Sequence, residues 1–220
     1  MAFQYKRRWV MKGLNWHKNL TEALNEVSGG SRLPMILFHR TRCEGSVKML
    51  NETLKDLSVE RILGREIAPV LCNLDENPEM GKKFHIDWTP AFVITDEQGS
   101  ELERFVGYLP AEEFIPQLLL SKGLADFHIE RLKDAMGDFE ELIEEHAASE
   151  LVPEAEYYLG AVQFRTTGDI SKLGDVCAAM NTRFPDSIWT KKCSIWGHQK
   201  TYLKPFVGYD GGGSAGSGAY

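Results

Sequence analysis

No stretch of the 220-residue sequence is apolar over anything near the ~20 residues that a membrane-spanning helix needs. The longest compact apolar run, Pro34-Met35-Ile36-Leu37-Phe38, is strand-sized, so no membrane role is expected. An excess of basic charge is missing too. The chain has 25 Lys and Arg against 32 Asp and Glu, a formal charge of -7, which argues against a surface built to hold nucleic acid. The basic N-terminal residues Lys6, Arg7 and Arg8 are followed by no apolar segment, so no secretion signal is expected and the chain is assigned to the cytoplasm. Cysteine is scarce: Cys43, Cys72, Cys177 and Cys193 are scattered, and no two form a C-x-x-C pair. In a reducing compartment all four are expected as free thiols. Cys177, Cys193 and His198 match no zinc spacing, and neither a metal nor another cofactor is expected.

What is present suits a folded, globular chain: 43% hydrophobic and 26% charged residues exclude a mostly disordered one. Residues 1–123 alternate helical patterns with short β-branched runs. Leu20, Ala23, Leu24 and Val27 make one helix face, with Thr21 as its expected N-cap and Gly29-Gly30 as its stop. Strands are expected at Met35–Phe38, Ile67–Leu74, Ala91–Thr95 and Leu102–Val106, with Asp96-Glu97-Gln98-Gly99 as a hairpin turn. A helix lined by Val47, Leu50, Leu54 and Leu57 follows the first strand, a short one runs from Pro78 to Phe84, and another covers Ala111–Leu120. The order α, β, α, β, α, β, β, α predicts an α/β fold, a mixed sheet sandwiched by helices.

Residues 124–205 are helical in pattern throughout. A long helix is expected over Phe127–Ala148, and another over Ser187–His198. Between them, Pro153–Asp186 is a 34-residue span with Tyr158-Leu159-Gly160, a Gly168-Asp169 turn and Phe184-Pro185, which resembles a tetratricopeptide repeat. One such unit cannot bury its own face, so its helices are expected to stack on each other and on the first domain. Residues 206–220 form a Gly/Ser-rich tail, flexible by composition.

One segment carries chemistry. Phe38-His39-Arg40-Thr41-Arg42-Cys43-Glu44-Gly45-Ser46 sets a cysteine between a buried strand and a helix N-terminus. With Trp16, Asn73-Leu74-Asp75-Glu76-Asn77-Pro78, Trp88-Thr89-Pro90, Gln98-Gly99 and Val106-Gly107 in that order, residues 14–120 resemble the thioredoxin-like superfamily. The resemblance implies that Thr89–Pro90 is cis and faces Cys43. It also implies that the Thr89 backbone is open to an extended client peptide, with Arg42, Trp88 and Pro90 bordering the groove. Three departures stand out. The family's C-x-x-C is here Cys43-Glu44-Gly45-Ser46, the aromatic residue before the first cysteine is Arg42, and the buried acid six residues before it is Leu37. Ser46 cannot resolve a mixed disulfide.

Cys43 and Ser46 are therefore the candidate catalytic pair, Cys43 as nucleophile and Ser46 as a hydrogen-bond donor to its sulfur. A thiolate at a helix start is stabilised by unpaired N–H groups, and Arg40, Arg42 and Lys48 are expected to add to that while Glu44 opposes it. Two functions fit: monothiol exchange on a protein or peptide client through a mixed disulfide, or a non-catalytic adaptor using the same groove and the helical extension. Cys72 and Cys177 read as core residues, and His39 and His85 as a strand end and a loop.

Overall fold

The computed structural model describes residues 14–27 and 29–198, without the side chains of residues 197 and 198. The expectations for the N-terminal segment and the Gly/Ser-rich tail lie outside the described residues.

Helix α1 (Leu20–Val27) starts one residue ahead of the expected cap. Asn19 caps it in place of Thr21: its Oδ1 accepts from the Glu22 N–H at 3.0 Å, while the Glu22 carboxylate accepts from the Lys18 N–H at 3.0 Å. Strands β1 (Leu33–His39), β2 (Ile67–Asn73), β3 (Ala91–Thr95) and β4 (Glu101–Val106) form one sheet in the order β2-β1-β3-β4. β1 runs parallel to β2 and antiparallel to β3, and β3 runs antiparallel to β4. A single bridge from His17 extends the β2 edge, its N–H donating to the Pro69 carbonyl at 2.8 Å.

Every residue of β1 is buried, because both faces of the sheet are covered. Met35 and Leu37 face one core with Ile67, Phe92 and Ile94. Ile36 and Phe38 face the other with Val70, Cys72, Val93, Ala23 and Phe84. The two-sided burial explains why β1 reads as a continuous apolar run and not as an alternating one.

The helix expected after β1 is three pieces: α2 (Glu44–Asn51), a 3-10 turn at Thr53–Lys55 and α3 (Leu57–Glu66). Asp56 caps α3 by accepting from the Ser58 and Val59 N–H groups. The break rotates the apolar face, so Met49, Leu50 and Leu54 are buried while Leu57 is 75% exposed and Val47 43% exposed. Helix α4 (Pro78–Lys83) precedes β3.

Helix α5 runs Ala111–His128, well past the expected end at Leu120, so the division drawn at 123/124 falls inside it. The helix expected at Phe127 instead begins as α6 (Leu132–Glu145). The cause is burial on more than one side: Leu118, Leu119, Leu120, Leu124 and Ala125 are all buried, so no single stripe marks where the helix ends. Helices α7 (Val152–Thr167) and α8 (Ser171–Arg183) form a hairpin over the Gly168-Asp169 turn, and Gly168 takes the left-handed conformation (φ 71°) at the end of α7. Helix α9 (Ile188–Cys193) passes into a 3-10 turn at Ser194–His198. These helices stack as expected: Phe139, Leu142, Val152, Ala155 and Val162 belong to the same core as Leu37 and Phe92.

Cys177 and Cys193 form a disulfide, with Cα atoms 5.5 Å apart, which corrects the expectation of free thiols. The pair is sixteen residues apart and is brought together by the packing of α8 against α9, a tertiary closeness that no spacing rule encodes. Tyr157, Trp189 and Trp196 pack around it, with Tyr157 stacked on Trp196 at 4.3 Å.

Candidate functional site

Cys43 is the N-cap residue of α2, with extended backbone (φ -84°, ψ 116°), and its carbonyl accepts the first helical bond from Val47 at 2.9 Å. The loop before it is pinned from across the β1/β2 pair. Asp75 accepts from the Thr41 N–H at 2.8 Å and from the Arg40 guanidinium at 3.2 Å. The Thr41 bond holds the Asp75 carboxyl below the usual carboxylate range against slight desolvation, and Arg40 adds to the effect.

The Cys43 Sγ lies 3.0 Å from the Thr89 carbonyl oxygen, and the Thr89–Pro90 peptide is cis. Gly45 makes this approach feasible. A Cβ there would sit 3.2 Å from the Pro90 ring and 3.7 Å from the Tyr108 Cβ, tighter than ordinary contact with the proline. Gly107 (φ 110°) closes the other side, donating its N–H to the Pro90 carbonyl at 2.8 Å.

Burial acts to raise the Cys43 pKa, yet the net shift is downward. The side chains of Ser46 and Thr89 and the backbone N–H groups of Ser46 and Gly45 hydrogen-bond the sulfur and favour its anion. Ser46 is completely buried, and its Oγ also accepts from the Arg40 N–H at 3.4 Å. The activation therefore differs in cause from the sequence expectation. Arg40 is committed to Asp75, while Lys48 lies 3.9 Å from Glu52 and over the Tyr108 ring. Hydrogen bonds, and not basic side chains, lower this pKa.

Arg42 is exposed and shares an open hollow of about 640 Å³ with Arg40, Thr41, Cys43 and Asp75. Trp88 is 73% exposed beside Thr89 and Pro90. Thr89 is buried, and its carbonyl is engaged by the Cys43 thiol, not held open as the resemblance implied. His39 is buried at the end of β1, and desolvation lowers its pKa against the pull of Asp75 and Glu76. Cys72 is buried in the second core, where desolvation pushes its thiol up to about 11. Asp75 and Gly45 shape the cysteine loop, and sequence reasoning gave neither a role of its own. Asp75 carried a signal, an acid just past the strand that ends beside the cysteine loop, whereas the need for Gly45 depends on the opposing proline. Among the described residues no His, Cys, Asp and Glu cluster is arranged to hold a metal, and no helix is long and apolar enough to cross a membrane.

Residues 20–121, which hold the mixed sheet, the helix-capping Cys43 and the cis-Pro90, match the family model described as a thioredoxin-like domain. The chain thus carries a thioredoxin-like domain followed by an all-helical region. Among solved structures, 48% of this chain aligns with 85% of a thioredoxin from Thermus thermophilus at 27% identity and a TM-score of 0.43. An oxidoreductase titled DsbH aligns over 49% of this chain and 85% of its own, at 18% identity and a TM-score of 0.39. Mitochondrial thioredoxin 3 from Saccharomyces cerevisiae aligns over 43% and 83%, at 23% identity and a TM-score of 0.32. No curated protein matches the chain.

Proposed function

We propose that this protein carries out monothiol thiol-disulfide exchange on protein clients, with Cys43 as the nucleophile. The observation that carries the reading is the Cys43 sulfur itself: partly exposed, opposite Pro90, and hydrogen-bonded so that its anion is favoured. The thiolate attacks one sulfur of a client disulfide. A Cys43–client disulfide forms and the client's second sulfur leaves as a thiolate; the Thr89 carbonyl has already been released, when the Cys43 thiol gave up its proton to solvent. Ser46 offers a hydroxyl where a resolving thiol would stand, and Cys72 is buried with a raised pKa. Resolution is thus assigned to an external thiol, which is oxidised as Cys43 is freed. Arg42, which shares the Cys43 hollow, and the Trp88-Thr89-Pro90 segment, whose Thr89 carbonyl meets the sulfur, are assigned to client binding. The tetratricopeptide-like character of α7 and α8 belongs to the same reading as a proposal.

A second reading, an adaptor that binds without covalent chemistry, is favoured by one observation: Trp88, next in sequence to Thr89 and Pro90, presents a large exposed aromatic surface with no need of a thiol. Non-reducing gels separate the two. Exchange predicts higher-mass adducts that vanish with dithiothreitol and are absent in Cys43→Ser. Equal recovery of the same partners from wild type and Cys43→Ser, with no adducts, supports the adaptor and overturns the exchange reading. Loss of that recovery in Trp88→Ala would place the adaptor contact at Trp88.

A further inference from the structure

The contact between the thioredoxin-like part and the helical extension contains a buried charged cluster that the thiol chemistry does not use. Lys122, on α5, is 2% exposed. Its Nζ lies 2.8 Å from Asp126 on the same helix, 2.9 Å from Asp138 on α6 and 3.2 Å from Glu66 at the end of α3. Asp126 is shared: its other oxygen accepts from Arg131 Nε at 2.8 Å. Arg131 in turn donates to the carbonyls of Gly30 at 2.9 Å and Ser31 at 2.6 Å, tying the α5–α6 corner to the turn after α1. On the far side Arg65 pairs with Glu66 and reaches Glu141 of α6 at 2.6 Å. Arg65, Lys122 and Arg131 therefore face Glu66, Asp126, Asp138 and Glu141, three cations against four carboxylates, with the more exposed Asp134 at 3.9 Å from Arg131.

Two carboxylates have a single, shared cation, Glu141 with Arg65 and Asp138 with Lys122, and of these Glu141 is 33% exposed whereas Asp138 is buried. Asp126 has both Lys122 and Arg131, and Glu66 and Glu141 share Arg65. Asp138 has Lys122 alone, and Lys122 is divided among three carboxylates. A surplus negative charge inside a protein is costly, and taking up a proton removes it.

We propose that the Lys122 cluster is a proton-operated latch, in which a proton bound at Asp138 tightens the seating of α6 on α5 and α3 and its loss loosens it. Burial, with Glu66 and Asp126 pushing the same way and Lys122 opposing, holds the Asp138 carboxyl up at about 7. An unfolded or undocked aspartate titrates near ~3.9. Docking α6 therefore takes up a proton between these values. The extra stabilisation is complete below about pH 4 and is lost as the pH rises through about 7. The latch does not depend on the exchange reading, since it lies in the helical contact and involves no thiol.

Amide hydrogen exchange of α6 in the full chain, corrected for intrinsic pH dependence, tests it. For one proton the opening constant of α6 should rise about tenfold per pH unit between pH 5.5 and 6.5 and level off above pH 7. The β1–β3 core amides serve as the reference. Asp138→Asn, which keeps the side-chain shape and cannot ionise, should flatten that rise. The side-chain carboxyl carbon shift of Asp138 in the wild type gives a second measure that needs no variant, and should titrate near neutrality. A flat α6 profile, an equal slope in Asp138→Asn, or an Asp138 carboxyl ionised throughout pH 5–8 would each overturn the proposal.

Discussion

The Cys43 sulfur is held by its own helix and by the cis-proline loop: Ser46 and Gly45 on one side, Thr89 on the other. The loop uses both of its atoms in turn. The thiol donates to the Thr89 carbonyl, while the anion is favoured by the Thr89 side chain. Ser46→Ala removes one donor to the charged sulfur, and a hydrogen bond to a charged group is worth roughly 1.5 kcal/mol or more. The alkylation profile of Cys43 should move up in pH toward that of a free thiol, with the iodoacetamide rate at pH 7 falling by up to about tenfold. An unchanged profile would reassign the lowering to the Thr89 side chain and the backbone N–H groups. Arg42→Gln should leave the midpoint nearly in place, since no basic side chain is among the causes of the shift. The cysteine, the serine and the proline were legible because they sit in an ordered set of motifs. The cause of the activation was not, since Arg40 and Lys48 are near Cys43 in sequence yet are drawn off by Asp75 and Glu52.

At the scale of elements, the strands and the β3–β4 turn were legible from β-branched runs and from Asp96, whose carboxylate accepts from the Gln98 and Ser100 N–H groups. The α2–α3 break and the length of α5 were not. A helix buried on several sides shows no stripe, and a kink between two helices changes a face without changing its periodicity. Close helix contacts decide a further case. Gly123 on α5 meets the buried ring of Phe139 on α6, where an added Cβ would clash with the ring, whereas Gly137 on α6 is exposed with nothing within 4 Å. Helix propensity alone favours alanine at both positions by about 0.5–1 kcal/mol. Gly137→Ala should realise that gain in urea unfolding. Gly123→Ala should lose about 1–2 kcal/mol net, because overpacking a fixed ring costs roughly 1–3 kcal/mol. Equal effects at the two sites would show that α6 shifts freely on α5.

For the molecule as a whole, the exchange reading implies a slow reductant. The protein should reduce insulin disulfides no faster than Cys43→Ser when supplied with a thioredoxin reductase, because no second thiol stands in the motif and Cys72 is buried. Robust turnover would require another resolving cysteine. The α5 helix bears on how such a chain is made. The family match ends at residue 121, but Lys122 emerges from a ribosome before Asp126 and well before Asp138. Until α6 has followed, that ammonium has no full set of carboxylates to bury against, and Leu124 and Ala125 have no Phe139 to cover them. The thioredoxin-like part is thus complete in sequence before it is complete in structure. Vectorial synthesis delays its closure until the helical extension has arrived, and a gene fragment ending at residue 123 would cut α5 in its buried stretch and leave that part permanently unfinished.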